Sequence, residues 1–202
     1  MITIVNYAMG NLGSLLNMFK RIGVAARVES DINALRNSEK LLLPGVGAFD
    51  AAMQRISDSP GLREVLDHKA LVECVPILGV CLGMQLLTDS REEGNLSGLG
   101  WIPGTTRRFP RLDGLKVPHM GWNIARPKTL NPLTTDVGLE PRYYFVHSYY
   151  AQVNDSAHSL MRSHYGIDFD SGISRDNIYG VQFHPEKSHR FGMQILRNFA
   201  EL

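Results

Sequence analysis

Cys81 has the type and the surroundings that thiol-based acyl transfer requires of a nucleophile. It lies in Gly79-x-Cys81-x-Gly83, between a short apolar run and a helical pattern. A sharp strand-to-helix turn needs small neighbours and points the nucleophile outward, and a helix N-terminus stabilises a thiolate through its unpaired N–H groups. The pattern predicts Cys81 as a nucleophile, against the alternative of a small buried hydrophobic residue.

A thiolate nucleophile needs a base, and the base needs a third group to orient it. The segment Val181-Gln-Phe-His184-Pro-Glu186 offers both at the end of an apolar run. Residues i and i+2 of a strand share a side, so Glu186 could hold the His184 imidazole. A His-x-Glu pair alone is usually a surface pair, and the chain has seven histidines. Its combination with Cys81 favours a Cys81–His184–Glu186 triad.

Acyl transfer also needs N–H donors for the oxyanion of the tetrahedral intermediate. The loop Gly45-Val46-Gly47 follows an apolar run, and its glycines allow backbone N–H groups to turn toward the nucleophile. The N–H of Leu82 is the natural second donor. The alternative for this loop is an ordinary turn between a strand and a helix.

Strands and helices alternate through the first half of the chain and must position these groups. Predicted strands cover Ile2–Val5, Lys40–Leu43 and Pro76–Val80, and the last leads through Cys81 into a helix to about Thr88. A further helix is predicted between Asn11 as N-cap and Gly23 as terminator. This order favours an α/β fold with a mostly parallel central sheet flanked by helices.

The second half has a different pattern. Residues 98–141 are rich in Gly and Pro and predict loops and short antiparallel pieces, while residues 143–150 and 177–183 have β-rich composition. A helix is predicted from about Arg190. Without an internal repeat or linker, a single domain over residues 1–202 is expected.

Composition narrows the function classes. The 202 residues are 44% hydrophobic with a net charge of +1, which is typical of a globular protein and gives no electrostatic footprint for nucleic acid. We expect no signal peptide and no membrane span. Two cysteines cannot form a disulfide framework, so a cytoplasmic location is expected. No metal-ligand cluster, cofactor fingerprint or phosphate loop is apparent.

Motifs in order along nearly the whole chain resemble the class I (triad) glutamine amidotransferase family, and within it the glutaminase subunits of imidazole glycerol phosphate synthase. The matching segments are Gly10-Asn11-Leu12, residues 43–49, residues 78–87, residues 92–94, Lys116-Val-Pro-His-Met-Gly-Trp-Asn123, Tyr144-Phe-Val-His-Ser-Tyr149 and residues 182–188. The resemblance implies a flavodoxin-like fold with an extra small antiparallel section.

The resemblance also implies a role for each matched residue. Cys81 would form a glutamyl thioester, with His184 as base and then acid and Glu186 as its orienter. The glutamine would be held by Gln85, Glu93 and the Ser148-Tyr149 backbone, with Gly47 and Leu82 forming the oxyanion hole. The partner interface would contain Met120, Trp122, Asn123 and Lys187, although Trp122 could instead be a core residue and Lys187 a solvated surface charge.

The implied reaction is hydrolysis of L-glutamine to glutamate and ammonia. Ammonia is small, readily protonated and easily lost to water, and the remaining sequence offers no second reaction site, so an acceptor enzyme docked over the site is expected. The resemblance implies a heterodimer with a (β/α)8-barrel cyclase, which makes imidazole glycerol phosphate and AICAR in histidine biosynthesis.

Other hypotheses stay open on sequence alone. Asn6 and Ala8 stand where the family often has Asp and Gly, and residues 13–23 and 191–194 also resemble paralogues that supply ammonia for amidating surface-polysaccharide sugars. A non-catalytic thiol sensor on the same fold and a cysteine peptidase are further alternatives. Both leave the glutamine-site motifs unexplained.

Overall fold

The protein was analysed as a computed structural model that describes residues 1–92 and 94–202. Its strands are β1 (Ile2–Val5), β2 (Ala26–Glu29), β3 (Lys40–Leu43), β4 (Ile77–Val80), β5 (Ser90–Arg91), β6 (Gly104–Arg108), β7 (His119–Ile124), β8 (Arg126–Pro127), β9 (Arg142–His147), β10 (Tyr149–Val153), β11 (Ser159–Tyr165), β12 (Ile167–Arg175) and β13 (Ile178–Val181). Its helices are α1 (Leu12–Arg21), α2 (Ile32–Arg36), α3 (Phe49–Asp58), α4 (Leu62–Leu71), α5 (Leu82–Leu86) and α6 (His189–Glu201). None of these helices has the length and apolar character that a membrane crossing requires.

The strands β2, β1, β3, β4 and β13 run parallel, in that order, and form the half of the main sheet that carries Cys81. β1 and β4 are buried along their whole length, which accounts for their mostly apolar composition. The structure confirms the strands predicted at Ile2–Val5 and Lys40–Leu43, and it begins the third at Ile77 rather than Pro76. Because parallel strands end at the same sheet edge, the segments that follow β4 and β13 are neighbours.

Helices cover both faces of this sheet, as the alternation of strands and helices predicts. α1 and α6 pack into one core cluster, and α3 and α4 pack into a second. The start of α1 is the predicted one, because the Asn11 side chain accepts a hydrogen bond from the Ser14 N–H at 3.3 Å. Gly23 follows the helix with φ +76°, the left-handed conformation that glycine adopts most readily. α5 ends at Leu86, two residues earlier than predicted.

The main sheet continues outward from β13 through β12, β10 and β6, which pair antiparallel, and ends at β5, which pairs parallel with β6. β7 and β9 form a separate two-stranded antiparallel sheet in which His119 is paired with His147. The structure therefore confirms the antiparallel section expected beside the parallel core. The β-rich segment predicted over residues 143–150 is divided between the two sheets, and the chain turns from one to the other at Ser148.

Candidate active site

Cys81 occupies a strained turn between β4 and α5. Its φ of 55° and ψ of −109° lie outside the regions that most residues adopt, and its N–H donates to the Val181 carbonyl at 2.8 Å. A Cβ on Gly79 would come within 2.7 Å of the Gly83 backbone, and a Cβ on Gly83 would collide with the Leu43 carbonyl oxygen. The predicted need for small residues on both sides of Cys81 thus has a direct steric cause.

His184 and Glu186 form a buried pair beside the end of β13. His184 Nδ1 donates to Glu186 Oε1 at 2.9 Å, and both side chains are almost completely excluded from solvent. The pairing arises from the 3-10 turn Pro185–Lys187 rather than from the strand alternation that the sequence suggested, because β13 already ends at Val181. His184 Nε2 is buried and makes no hydrogen bond within the described part of the chain, which leaves it for the Cys81 sulfur and the substrate.

The pKa of His184 is set by opposing effects. Burial by itself lowers this pKa, because an apolar environment disfavours a charged ring. Interactions with Cys81 and Glu186 outweigh burial and raise the pKa of His184 to about 10. The ring is therefore an imidazolium at neutral pH, which is the form that can give a proton to a leaving amine.

One cavity of about 400 Å³ brings most of the predicted site residues together. It is lined by Cys81, His184, Gly47, Leu82, Gln85, Ser148, Tyr149 and Lys187. Gln85 is fixed in its wall, with Nε2 donating to the Tyr149 carbonyl at 3.1 Å and to Gln182 Oε1 at 3.0 Å. Glu93, also predicted to hold the glutamine, lies outside the described residues.

The Gly45–Gly47 loop, predicted to contribute to the oxyanion hole, packs directly against the Cys81 turn. The Leu82 N–H, predicted as an oxyanion donor, donates to the Gly45 carbonyl at 3.3 Å, while Gly47 has φ +107°. The buried Tyr7 hydroxyl donates to the Pro44 carbonyl and anchors the base of the loop. An oxyanion could use the Leu82 N–H only after the Gly45 carbonyl has moved away.

The residues predicted at a partner interface fall on two sides of β7. Met120 and Trp122 are 61% and 49% exposed on one side, so Trp122 is not a core residue. The Lys187 ammonium lies 5.7 Å from the centre of the Tyr144 ring, close to this surface. Asn123 is half-buried, and its amide nitrogen donates to the His164 carbonyl at 2.9 Å, so it does not share the exposed side with the other two.

Three residues of the cavity region received no role from the sequence. The completely buried Gln182 connects Gln85 to Cys81, with its Nε2 3.7 Å from the sulfur. Arg91 and His147 line the cavity, and the Arg91 guanidinium lies 3.6 Å from the centre of the Tyr149 ring. Gln182 and His147 lie inside motifs that match the family, so the sequence indicated that these positions belong to the site. Their contacts could not be predicted from the sequence. The described residues contain no cluster of acidic, His and Cys side chains arranged for a metal ion.

Comparison with known proteins defines the class to which this fold and site belong. The family described as "Glutamine amidotransferase class-I" matches residues 4–202. Two solved structures share the fold over nearly the whole chain at 16% identity: a glutamine amidotransferase, with a TM-score of 0.77 and coverage of 100% of this chain and 98% of that one, and PurLQS from Thermotoga maritima, with 0.74, 99% and 97%. The chain belongs to the class I glutamine amidotransferase family.

Curated relatives are similar over their full length. The chain is 47% identical to "Imidazole glycerol phosphate synthase subunit HisH 2" of Pseudomonas aeruginosa, with all of both chains covered. It is 44% identical to "Imidazole glycerol phosphate synthase subunit HisH" of Bdellovibrio bacteriovorus, again with full coverage of both. The subunit of the same name from Archaeoglobus fulgidus is 43% identical over 100% of this chain and 98% of its own.

The steric fit at Gly83 predicts a large cost for a single methyl group. Gly83→Ala forces the nucleophile turn away from the Leu43 carbonyl, and we expect a loss of about 1–3 kcal/mol in the free energy of unfolding. Gly13→Ala in α1 is the control, because a Cβ there meets nothing within 4 Å and is expected to stabilise by about 0.4–1 kcal/mol. Urea denaturation measures both, and equal stabilities would contradict the steric argument.

The opposing effects on His184 predict how its pKa responds to the loss of Cys81. In Cys81→Ala an interaction that raises the pKa is absent while burial remains, so the pKa falls below the wild-type value of about 10. NMR titration of the imidazole measures this shift, and an unchanged pKa would refute the account. Because the folded pKa exceeds the unfolded value of 6.5, the wild-type protein should lose His184-linked stability as the pH rises from about 6.5 toward 10.

Proposed function

We propose that this chain is the glutaminase subunit of an imidazole glycerol phosphate synthase, hydrolysing L-glutamine and passing the ammonia to a (β/α)8-barrel cyclase. The observation that carries this proposal is the single cavity that joins the Cys81 turn, the buried His184–Glu186 pair and the Gln85–Tyr149 wall. Relatives at 43–47% identity over the full length are named as subunits of that synthase. Such biosynthetic chemistry fits a reducing cytoplasm.

The first half of the reaction forms a thioester. The Cys81 thiolate attacks the side-chain carbonyl carbon of glutamine and pushes the carbonyl electrons onto oxygen, giving a tetrahedral oxyanion. His184 then donates its Nε2 proton to the amide nitrogen, and the carbon–nitrogen bond breaks. Ammonia leaves, and the glutamyl group stays on the Cys81 sulfur as a thioester. Glu186 accepts from Nδ1 throughout, which keeps Nε2 directed at the reacting atoms.

The second half returns the enzyme to its starting state. Neutral His184 takes a proton from water while the water oxygen attacks the thioester carbon. Collapse of the second tetrahedral intermediate breaks the carbon–sulfur bond and releases glutamate. The thiolate and the imidazolium are restored together, consistent with the high pKa of His184 in the resting site.

The resting geometry explains why a subunit of this kind would hydrolyse little glutamine on its own. The Leu82 N–H is bonded to the Gly45 carbonyl, so one oxyanion donor is occupied. Removing an oxyanion donor costs about 100- to 1,000-fold in rate in other acyl-transfer enzymes. Docking of the cyclase with its nucleotide acceptor would shift the Gly45–Gly47 loop, free this N–H and turn a loop N–H toward the substrate.

The exposed side of β7 supplies a surface for such a partner. Two large apolar side chains, Met120 and Trp122, stand next to each other in a strand where solvent-facing residues are usually polar. Trp122 stacks on His189 with ring centres 5.3 Å apart, and Lys187 borders both this surface and the cavity. We define Met120, Trp122 and Lys187 as the partner face.

The decisive experiment measures glutamate release from glutamine by the purified protein, alone and with a histidine-pathway cyclase plus its nucleotide acceptor. We expect strong stimulation by the loaded cyclase and complete loss in Cys81→Ala, which removes the nucleophile. The control is that Cys81→Ala folds and binds the cyclase like the wild type. Full activity in that variant would refute the proposal.

The same assay separates the two candidate acceptors. If the cyclase has no effect while slow Cys81-dependent hydrolysis persists, the chemistry stands and the acceptor is to be sought among enzymes that amidate surface-polysaccharide sugars. Absence of any hydrolysis, with a peroxide-sensitive binding activity instead, would favour the thiol sensor.

The partner face predicts a hot spot at Trp122. Trp122→Ala should weaken cyclase affinity roughly 30-fold, because a half-exposed aromatic ring at the centre of an interface typically contributes about 2 kcal/mol or more. Leu130→Ala is the matched control, since Leu130 is a fully exposed apolar side chain outside the partner face. Calorimetric titration with the cyclase measures both, and equal affinities for the two variants would exclude this face from the interface.

A further inference from the structure

A continuous row of hydrogen bonds runs from β7 to the glutamine side of the cavity. The Asn123 amide nitrogen lies 3.2 Å from His119 Nε2, His119 Nδ1 lies 2.9 Å from His147 Nε2, and His147 Nδ1 lies 2.7 Å from the Tyr149 carbonyl. Gln85 Nε2 donates to the same carbonyl. The row therefore ends on a group that fixes a side chain of the proposed glutamine site.

The groups at the two ends of the row determine which atom donates and which accepts in every hydrogen bond between them. Asn123 Oδ1 accepts from the Ile124 N–H and its Nδ2 donates to the His164 carbonyl, so the amide can face His119 only as a donor. His119 Nε2 is then an acceptor, and His119 carries its proton on Nδ1. The carbonyl end requires a proton on His147 Nδ1 as well.

Both rings are therefore neutral. A second proton on either imidazole would set two donors against each other and break a bond in the row. Aromatic rings exclude water from the pair: Phe145 and Tyr165 stack on His119, and Phe109 lies edge-on to His147. Burial lowers the pKa of His119 to about 4 and, together with nearby histidines and against the bond to Tyr149, that of His147 to about 3.

The alternation of β7 places this row directly behind the partner face. His119 and Asn123 point inward, while Met120 and Trp122 point outward from the same strand. Any shift of β7 therefore moves His119, which is held against His147 by cross-strand pairing as well as by the ring bond. His147 in turn starts the corner at Ser148 that lines the cavity.

We propose that His119 and His147 are positioning residues, forming a neutral relay that couples the position of β7 to the Tyr149 carbonyl and Gln85. The relay rests on the proposed function, since it gives the partner face a mechanical connection to the glutamine pocket. Neither ring nitrogen of His147 is free to exchange a proton with substrate. Its contribution is to hold geometry rather than to take part in the chemistry.

Three variants distinguish the effects of the two hydrogen bonds of His147, one to the Tyr149 carbonyl and one to His119. His147→Phe keeps a ring but removes both bonds, and we expect the KM for glutamine in the cyclase complex to rise roughly 3- to 10-fold. His147→Asn can place its amide nitrogen near the Nδ1 position, so it should recover most of the KM by donating to Tyr149. His147→Asn and His119→Phe should both lose much of the stimulation by the loaded cyclase.

The control is Leu133→Ala, in the same core cluster as Phe109 and Phe145 but outside β7 and the relay. It is expected to lower stability while leaving the KM and the stimulation at wild-type values. Alkylation of Cys81 by iodoacetamide is followed in every variant, because unchanged alkylation shows that a rise in KM does not come from a damaged nucleophile turn. If His147→Phe and Leu133→Ala behave alike at matched stability, the rings serve packing alone and the proposal is overturned.

A second readout does not depend on activity. Nitrogen-15 NMR of the full chain at pH 7 should show both rings neutral and protonated on Nδ1, and an Nε2-protonated or doubly protonated ring at either position would refute the relay. If the wild type hydrolyses no glutamine even with the loaded cyclase, the proposed function fails, while the NMR result still decides whether the relay exists.

Discussion

The close approach of two backbones at the Cys81 turn is the constraint on which the rest of the site depends. Cys81 holds a left-handed φ of 55° because β4 ends against β13, where the Cys81 N–H bonds to the Val181 carbonyl, and because glycine at position 83 lets Leu43 come near. Such a conformation costs on the order of 1–3 kcal/mol and persists only where surrounding structure enforces it. The same β4–β13 pairing places His184 near the sulfur, so the proposed nucleophile and base are held by the same pair of strands.

Polar groups buried around this turn are connected rather than isolated. Gln182 is completely buried, yet its amide reaches both Gln85 and the Cys81 sulfur, and Glu186 accepts a hydrogen bond from His184 Nδ1. A buried charge without a partner is strongly destabilising, so the pair of His184 with Glu186 is tolerated because each satisfies the other. His184 Nε2 and Glu186 Oε2 have no hydrogen-bond partner within the described residues, and His184 Nε2 is the atom that the proposed reaction requires to be available.

Sequence patterns predicted the parallel core well because its signals are local. Ile2–Val5 and Lys40–Leu43 are short segments made mostly of apolar residues, and glycines two positions before and after Cys81 encode the turn directly. The division of residues 143–150 between two sheets was not predictable, since β propensity is the same in both and the partner strands are distant in sequence. Asn123 was placed with Met120 and Trp122 by its motif, but alternation along β7 puts it on the other side of the strand, where its amide nitrogen donates to the His164 carbonyl, 41 residues away.

The small sheet of β7 and β9 serves two surfaces because a strand presents its side chains alternately. Met120 and Trp122 cannot shift against a docked partner without moving His119 and Asn123, which belong to the same backbone. His119 can transmit that movement only if its ring bond to His147 has a fixed direction, and a titrating pair would lose that direction whenever a proton was added. Aromatic burial removes this possibility by keeping both rings neutral near pH 7. The apolar surroundings of the two histidines therefore keep the direction of their hydrogen bonds fixed, and with it the connection between the partner face and the cavity.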